Sequence, residues 1–87
     1  MVNTETVTIW SKDNCPYCIG AKMLCEDYGI PYTEKLITEK DGDYSKSDLL
    51  EVVPDAKTVP QVFYGDRYIG GYREFKGFLS ELSSANK

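Results

Sequence analysis

The sequence of 87 residues contains no histidine, and this one absence removes several chemistries. A histidine general base, Ser-His-Asp and Cys-His nucleophile pairs, and most zinc or haem sites all depend on imidazole. Whatever chemistry the chain carries runs without it. Also missing is any run approaching the roughly 18 consecutive apolar residues of a spanning helix, so no membrane partner is expected. Met1 to Thr8 has neither a basic start nor an apolar stretch, and the expectation is a cytoplasmic protein. An excess of positive charge is lacking as well. The 10 Lys and Arg face 14 Asp and Glu, a net charge of −4 that argues against a nucleic-acid partner.

What is present fits one small domain covering residues 1–87, since a chain this short has room for a single core. The negative charge is local. From Glu34 to Asp55 seven acids (Glu34, Glu39, Asp41, Asp43, Asp48, Glu51, Asp55) meet three bases (Lys35, Lys40, Lys46), a balance of 3 − 7 = −4, and elsewhere the signs cancel. The remaining surface is free to bind an anion.

Thr6 to Trp10 alternates polar and apolar residues with β-branched members, the pattern of a strand. After a polar loop from Ser11 to Asn14, Pro16 suits a first helical position, and the helix runs to Tyr28 before Gly29 stops it. Cys18, Ala21, Leu24, Cys25 and Tyr28 recur every three or four residues and share a face expected to turn to the core. Ile30 to Ile37 reads as a second strand, and Lys40 to Tyr44 as a turn-rich loop. Ser45 with Asp48 gives a weak capping signal for a short helix whose apolar face is Leu49, Leu50, Val52 and Val53, closed by Pro54. Gln61 to Tyr64 and Arg67 to Ile69 flank Gly65-Asp66, a two-residue connection with glycine first, as a type II′ hairpin prefers. Phe75, Phe78, Leu79 and Leu82 then mark a C-terminal amphipathic helix. The order is β-α-β-α-β-β-α, an α/β architecture. The first two strands should pair in parallel through the crossover helix, the hairpin should add antiparallel strands, and helices should cover both faces of a four-stranded mixed sheet.

The chemistry lies at Cys15-Pro16-Tyr17-Cys18. Two cysteines so spaced can close a disulfide when the first sits at a helix mouth and the second in its first turn. A zinc site would need a carboxylate or a second chain to join three sulfurs. A purely structural disulfide closing so small a loop gains little chain entropy and does not suit a chain without secretory features. Redox chemistry is the leading reading. With Pro16 at the first helical position, Cys15 becomes the N-cap, its sulfur facing the N–H groups of Tyr17 and Cys18 and the positive end of the helix dipole. That environment favours a thiolate, and Lys12 and Lys22 are expected to add positive potential. Cys15 is then the attacking sulfur, while Cys18, on the buried stripe, resolves the mixed disulfide. Cys25 shares the apolar face and reads as packing.

Together with Thr58-Val59-Pro60 before the third strand and Gly70-Gly71-Tyr72 after the fourth, the CPYC motif resembles the dithiol glutaredoxins over essentially the whole chain. The resemblance implies a thioredoxin fold and glutathione-dependent reduction of protein disulfides and of glutathione mixed disulfides. It implies no permanently bound cofactor or metal, glutathione serving as co-substrate. It also implies a monomer whose partners are disulfide-bearing or glutathionylated proteins, ribonucleotide reductase among the candidates. Pro60 would be cis and face the CxxC pair, leaving the Val59 backbone to pair with the cysteinyl unit of glutathione. Lys12 and Lys57 would meet the glycyl carboxylate, with Thr58 beside them. Gly71 would permit close approach, the N–H groups of Tyr72 and Arg73 would meet the γ-glutamyl carboxylate, Glu74 would pair with the ammonium, and Tyr17 would lie along the ligand. The family's usual contact from the second helix has no assignable match in Ser45-Lys46-Ser47-Asp48. Two other readings differ in class: a redoxin fed by thioredoxin reductase without glutathione, and an iron–sulfur cluster module.

Overall fold

A computed structural model of the chain describes residues 6–38 and 43–85. Its central strand, β1 (Val7–Ser11), is flanked on one side by β2 (Tyr32–Leu36) in parallel, with Val7 opposite Tyr32 and Ser11 opposite Leu36. On the other side β3 (Gln61–Tyr64) runs antiparallel to β1, and β4 (Arg67–Gly70) antiparallel to β3, giving the order β2-β1-β3-β4. Parallel pairing of β1 and β2 requires the crossover that α1 (Pro16–Tyr28) supplies. The hairpin between β3 and β4 turns on Gly65, whose φ of +60° is the conformation a glycine enters without steric penalty.

Helix α2 (Lys46–Val52) begins with a complete capping box. The Asp48 N–H donates to the Ser45 hydroxyl and the Ser45 N–H donates to the Asp48 carboxylate. Helix α1 ends at Gly29, with φ +68°, and the following Ile30 N–H bonds back to the Cys25 carbonyl. Helix α3 (Tyr72–Ala85) closes the described chain.

Side-chain alternation along the strands divides the interior into two layers. Val7, Ile9 and Val62 face a core shared with Ala21 and Cys25 of α1 and Phe75 and Leu79 of α3. Trp10 faces the other side, where Leu49 and Val53 pack on it with Phe63 alongside. Helices therefore cover both faces, α1 and α3 on one and α2 on the other, and the architecture is the thioredoxin fold.

Several local expectations are corrected. Tyr28 belongs to the helical stripe by spacing, yet it is 43% exposed at the last position of α1, where Gly29 turns the chain. Val52 is likewise exposed, so α2 and its cap bury only Leu49 and Val53. The second strand is shorter than Ile30 to Ile37. Ile30 is a core residue, the Pro31 carbonyl accepts the Val7 N–H, and Ile37 makes an isolated bridge with Tyr44. Most of the loop expected from Lys40 lies outside the described residues.

Candidate functional site

The end of β1 delivers the chain to its reactive pair. Asn14, at φ +57°, takes the left-handed turn that asparagine tolerates better than most residues, and Cys15 follows in extended conformation as the N-cap of α1. The Cys15 Sγ accepts the Cys18 N–H at 3.2 Å, and the Cys15 carbonyl accepts the N–H groups of Cys18 and Ile19. The sulfur thus meets the Cys18 donor; no bond to it from Tyr17 accompanies this. Cys15 and Cys18 are joined as a disulfide with Cα atoms 5.2 Å apart. Both are buried, Cys15 at 6% exposure and Cys18 at 1%.

Opposite the disulfide stands the loop entering β3. The Val59–Pro60 peptide bond is cis, Pro60 is buried, and the Val59 carbonyl oxygen lies 3.7 Å from the Cys15 Sγ. Gln61 follows with a buried side chain whose Nε2 donates to the Thr58 carbonyl at 2.7 Å and whose Oε1 accepts the Tyr68 hydroxyl at 2.5 Å.

The third wall is the start of α3. Gly70 has φ +127°, and a Cβ there would meet the Glu74 Cβ at 3.0 Å, so only glycine lets the helix start against β4. The Gly71 N–H donates to Glu74 Oε1 at 2.8 Å and the Gly71 carbonyl accepts the Phe75 N–H. Glu74 therefore caps its own helix, while the N–H groups of Tyr72 and Arg73 have no carbonyl of that helix to reach. The Tyr72 ring packs 5.7 Å from that of Tyr17 and close to α1, where a Cβ at Gly20 would stand 2.9 Å from it.

These walls enclose a groove of about 380 Å³ lined by Tyr17, Thr58, Val59, Pro60, Gly71, Tyr72, Arg73 and Glu74. Lys12 and Lys57 line an adjoining groove of about 200 Å³, which shares Thr58 and Val59 and is floored by Ile37, Leu49 and Ala56. Lys46 stands on the same rim. Its position inside the acidic run hid it, since in the sequence it reads as one base among many acids. Gln61 lies outside every motif in the sequence. The signal was a polar residue placed directly after Pro60 in an otherwise apolar strand.

Lys22 does not serve Cys15. Its Nζ pairs with Glu34 Oε2 at 2.8 Å, and the same oxygen accepts the buried Ser11 hydroxyl. The Lys22 bond first, then the Ser11 bond, hold the Glu34 carboxyl below the usual carboxylate range. Cys25 is a core residue at 0% exposure, its thiol pushed up to about 11 by burial and secondarily by Glu26. Among the described residues, no group of three or more Cys, Asp or Glu side chains is gathered to hold a metal ion.

Comparison with known proteins bears on this geometry. The family profile described as glutaredoxin matches residues 7–69. Over 72 residues the chain is 42% identical to glutaredoxin-C2 of Arabidopsis thaliana, covering 82% of this chain and 64% of that protein. It is 39% identical over 72 residues to a glutaredoxin of Ricinus communis, covering 82% and 70%. The chain thus spans slightly under two thirds of the Arabidopsis relative. Among solved structures, glutaredoxin 1 from Francisella tularensis complexed with cacodylate matches with a TM-score of 0.74 at 29% identity, over 94% of this chain and 98% of that one. A buckwheat glutaredoxin–glutathione complex matches with a TM-score of 0.72 at 29% identity, over 86% and 68%. The matched segment runs from the first residue of β1 through the disulfide and the cis-proline loop into β4, and on that correspondence the chain belongs to the glutaredoxin family.

Proposed function

We propose that the chain is a thiol–disulfide oxidoreductase that uses glutathione to reduce protein disulfides and glutathione mixed disulfides. The observation that carries this reading is the groove of about 380 Å³ beside the Cys15–Cys18 pair. Its central backbone, at Val59, reaches to 3.7 Å from the attacking sulfur. The cysteinyl unit of glutathione pairs with Val59 as an added strand, which brings its sulfur to Cys15. Its γ-glutamyl carboxylate meets the N–H groups of Tyr72 and Arg73 at the positive end of α3, and its ammonium meets Glu74. The glycyl carboxylate points to Lys12 and Lys57, Tyr17 lies along the tripeptide, and Thr58, Pro60 and Gly71 complete the wall.

The cycle is a series of exchanges. The Cys15 thiolate attacks one sulfur of a substrate disulfide; the new bond forms to Cys15, and the other substrate sulfur leaves as a thiolate that takes a proton from water. With a protein disulfide, Cys18 then attacks the Cys15 sulfur, closing the Cys15–Cys18 bond and releasing the second substrate thiol. Two glutathione molecules reopen that bond and depart as oxidised glutathione, two electrons having passed. With a glutathionylated protein, Cys15 takes the glutathionyl group, and a second glutathione thiolate removes it. No bound cofactor enters. The reading extends to a monomer acting in the cytoplasm, with proteins such as ribonucleotide reductase among its substrates.

The test is a coupled assay with reduced glutathione, glutathione reductase, NADPH and a small glutathione mixed disulfide. Turnover dependent on the protein is expected. Reduction of the Cys15–Cys18 bond by thioredoxin reductase with no glutathione turnover would overturn the reading.

A further inference from the structure

Ser11 and Gln61 are the buried polar side chains among the described residues. Ser11 ties β1 to Glu34, whereas Gln61 directly follows Pro60 and bonds to Thr58, both of which line the groove. It is the first residue of β3, 6% exposed, and both ends of its amide are engaged. The orientation is dictated by chemistry. Thr58 presents a carbonyl, which only the NH₂ end can satisfy, so the carbonyl end is left to accept from the Tyr68 hydroxyl across the hairpin. Tyr68 is itself steadied by the Phe63 ring at 5.3 Å, and burial, with Glu74 in second place, pushes its phenol up, keeping it a donor.

The partner of Gln61 is what gives this relay a consequence. The Thr58 carbonyl and the Val59 N–H belong to one peptide plane, and in a trans peptide they point in opposite directions. The cis bond lies one step later, at Val59–Pro60. With the Thr58 carbonyl held by Gln61, the Val59 N–H faces away from Gln61, at a residue that lines the groove.

We infer that Gln61 and Tyr68 are positioning residues for glutathione, which aim the Val59 N–H at the cysteinyl carbonyl of the tripeptide through the Thr58–Val59 peptide plane. This rests on the glutathione reading above. Neither side chain touches the reacting sulfurs. Their loss weakens capture of the glutathionyl unit and leaves the nucleophile as it was. The pair also spans the two walls of the groove, since Tyr68 lies on the strand that leads into Gly70 and Gly71.

The experiment compares wild type with Gln61→Leu, Gln61→Glu and Tyr68→Phe, using a glutathione mixed disulfide as varied substrate. For Gln61→Leu the KM is expected to rise about tenfold with kcat within about twofold, the scale of one hydrogen bond. Gln61→Glu at pH 8, which sets a carboxylate against the Thr58 carbonyl, should raise KM at least as much. Tyr68→Phe should raise it about threefold, because Gln61 keeps its bond to Thr58. Alkylation of Cys15 by iodoacetamide in the reduced proteins, which needs no glutathione, should keep its wild-type rate. Unchanged KM in all variants overturns the inference, as does a parallel fall in kcat and alkylation rate. If Gln61→Leu does not fold, Tyr68→Phe decides alone, since that ring is half exposed. A wild type inert toward the glutathione substrate fails the function itself and is seen before any variant is made.

Discussion

The backbone N–H of Cys18 donates to the Sγ of Cys15 at 3.2 Å, so α1 is capped by the sulfur proposed as the nucleophile. Such a cap favours a negatively charged sulfur, because the Cys18 N–H and the positive end of the helix dipole both face it. Cys15→Ser is expected to abolish all disulfide reduction. Cys18→Ser should keep the reduction of glutathione mixed disulfides, which needs only Cys15, and lose the route through an internal disulfide. The coupled assay reads both, and equal loss in the two variants would contradict the assigned roles.

Cys25 should be silent under conditions where Cys15 reacts. Its thiol, pushed up to about 11 and fully buried, is protonated throughout the neutral range. Iodoacetamide at pH 7 followed by peptide mass spectrometry is expected to label Cys15 in the reduced native protein and leave Cys25 unmodified until the protein is unfolded. Native labelling of Cys25 would be the contrary result.

Glu34 should make stability depend on acid. Its folded pKa lies below the ordinary value, so the stabilisation is fully present above the unfolded carboxylate pKa and is lost as pH falls through the folded one. Glu34→Gln is expected to lower stability by about 0.5–1 kcal/mol at pH 7, a small effect because the Lys22 pair is partly open to water. The difference from wild type should shrink in acid. Urea melts at pH 7 and in the acid range measure it, and a constant difference would show that the pair does not carry it.

Glu74 has two separable tasks. Its bond to the Gly71 N–H is a cap that glutamine can also make, whereas pairing with an ammonium needs the charge. Glu74→Gln is expected to melt with wild type and to show a KM for the glutathione mixed disulfide raised about threefold, while Glu74→Ala also loses about 0.5–1 kcal/mol of stability. Should Glu74→Gln bind as wild type does, the carboxylate is a cap alone.

The element order, the hairpin at Gly65 and the N-cap role of Cys15 were legible in the sequence because each is set by neighbours along the chain. The cap needs only Pro16 and the next turn; the hairpin needs only a glycine between two alternating runs. Other features depended on distant residues. Lys22 stands seven residues past Cys15, about two helical turns, and β2 brings Glu34 to meet it before it can serve the sulfur. Tyr28 keeps the helical period, but as the last residue of α1 it stays exposed. Tyr17, Thr58, Val59, Pro60 and Gly71 to Glu74 are linked in the sequence only through a resemblance; they line one groove, with Lys12 and Lys57 on the next, whereas Gln61 bonds to Thr58 and to a hydroxyl from another strand, a combination no local pattern encodes.

The near contact between Gly20 and Tyr72 gives α1 a second task beyond carrying the nucleophile. The bare back of the helix works as a spacer that sets how far the aromatic wall stands from Tyr17. One added methyl at position 20 would make the helix itself more stable by up to about 1 kcal/mol and would force the Tyr72 ring, 2.9 Å from that methyl, to shift. At that position, a stiffer helix and the present seat of the Tyr72 ring are opposing demands.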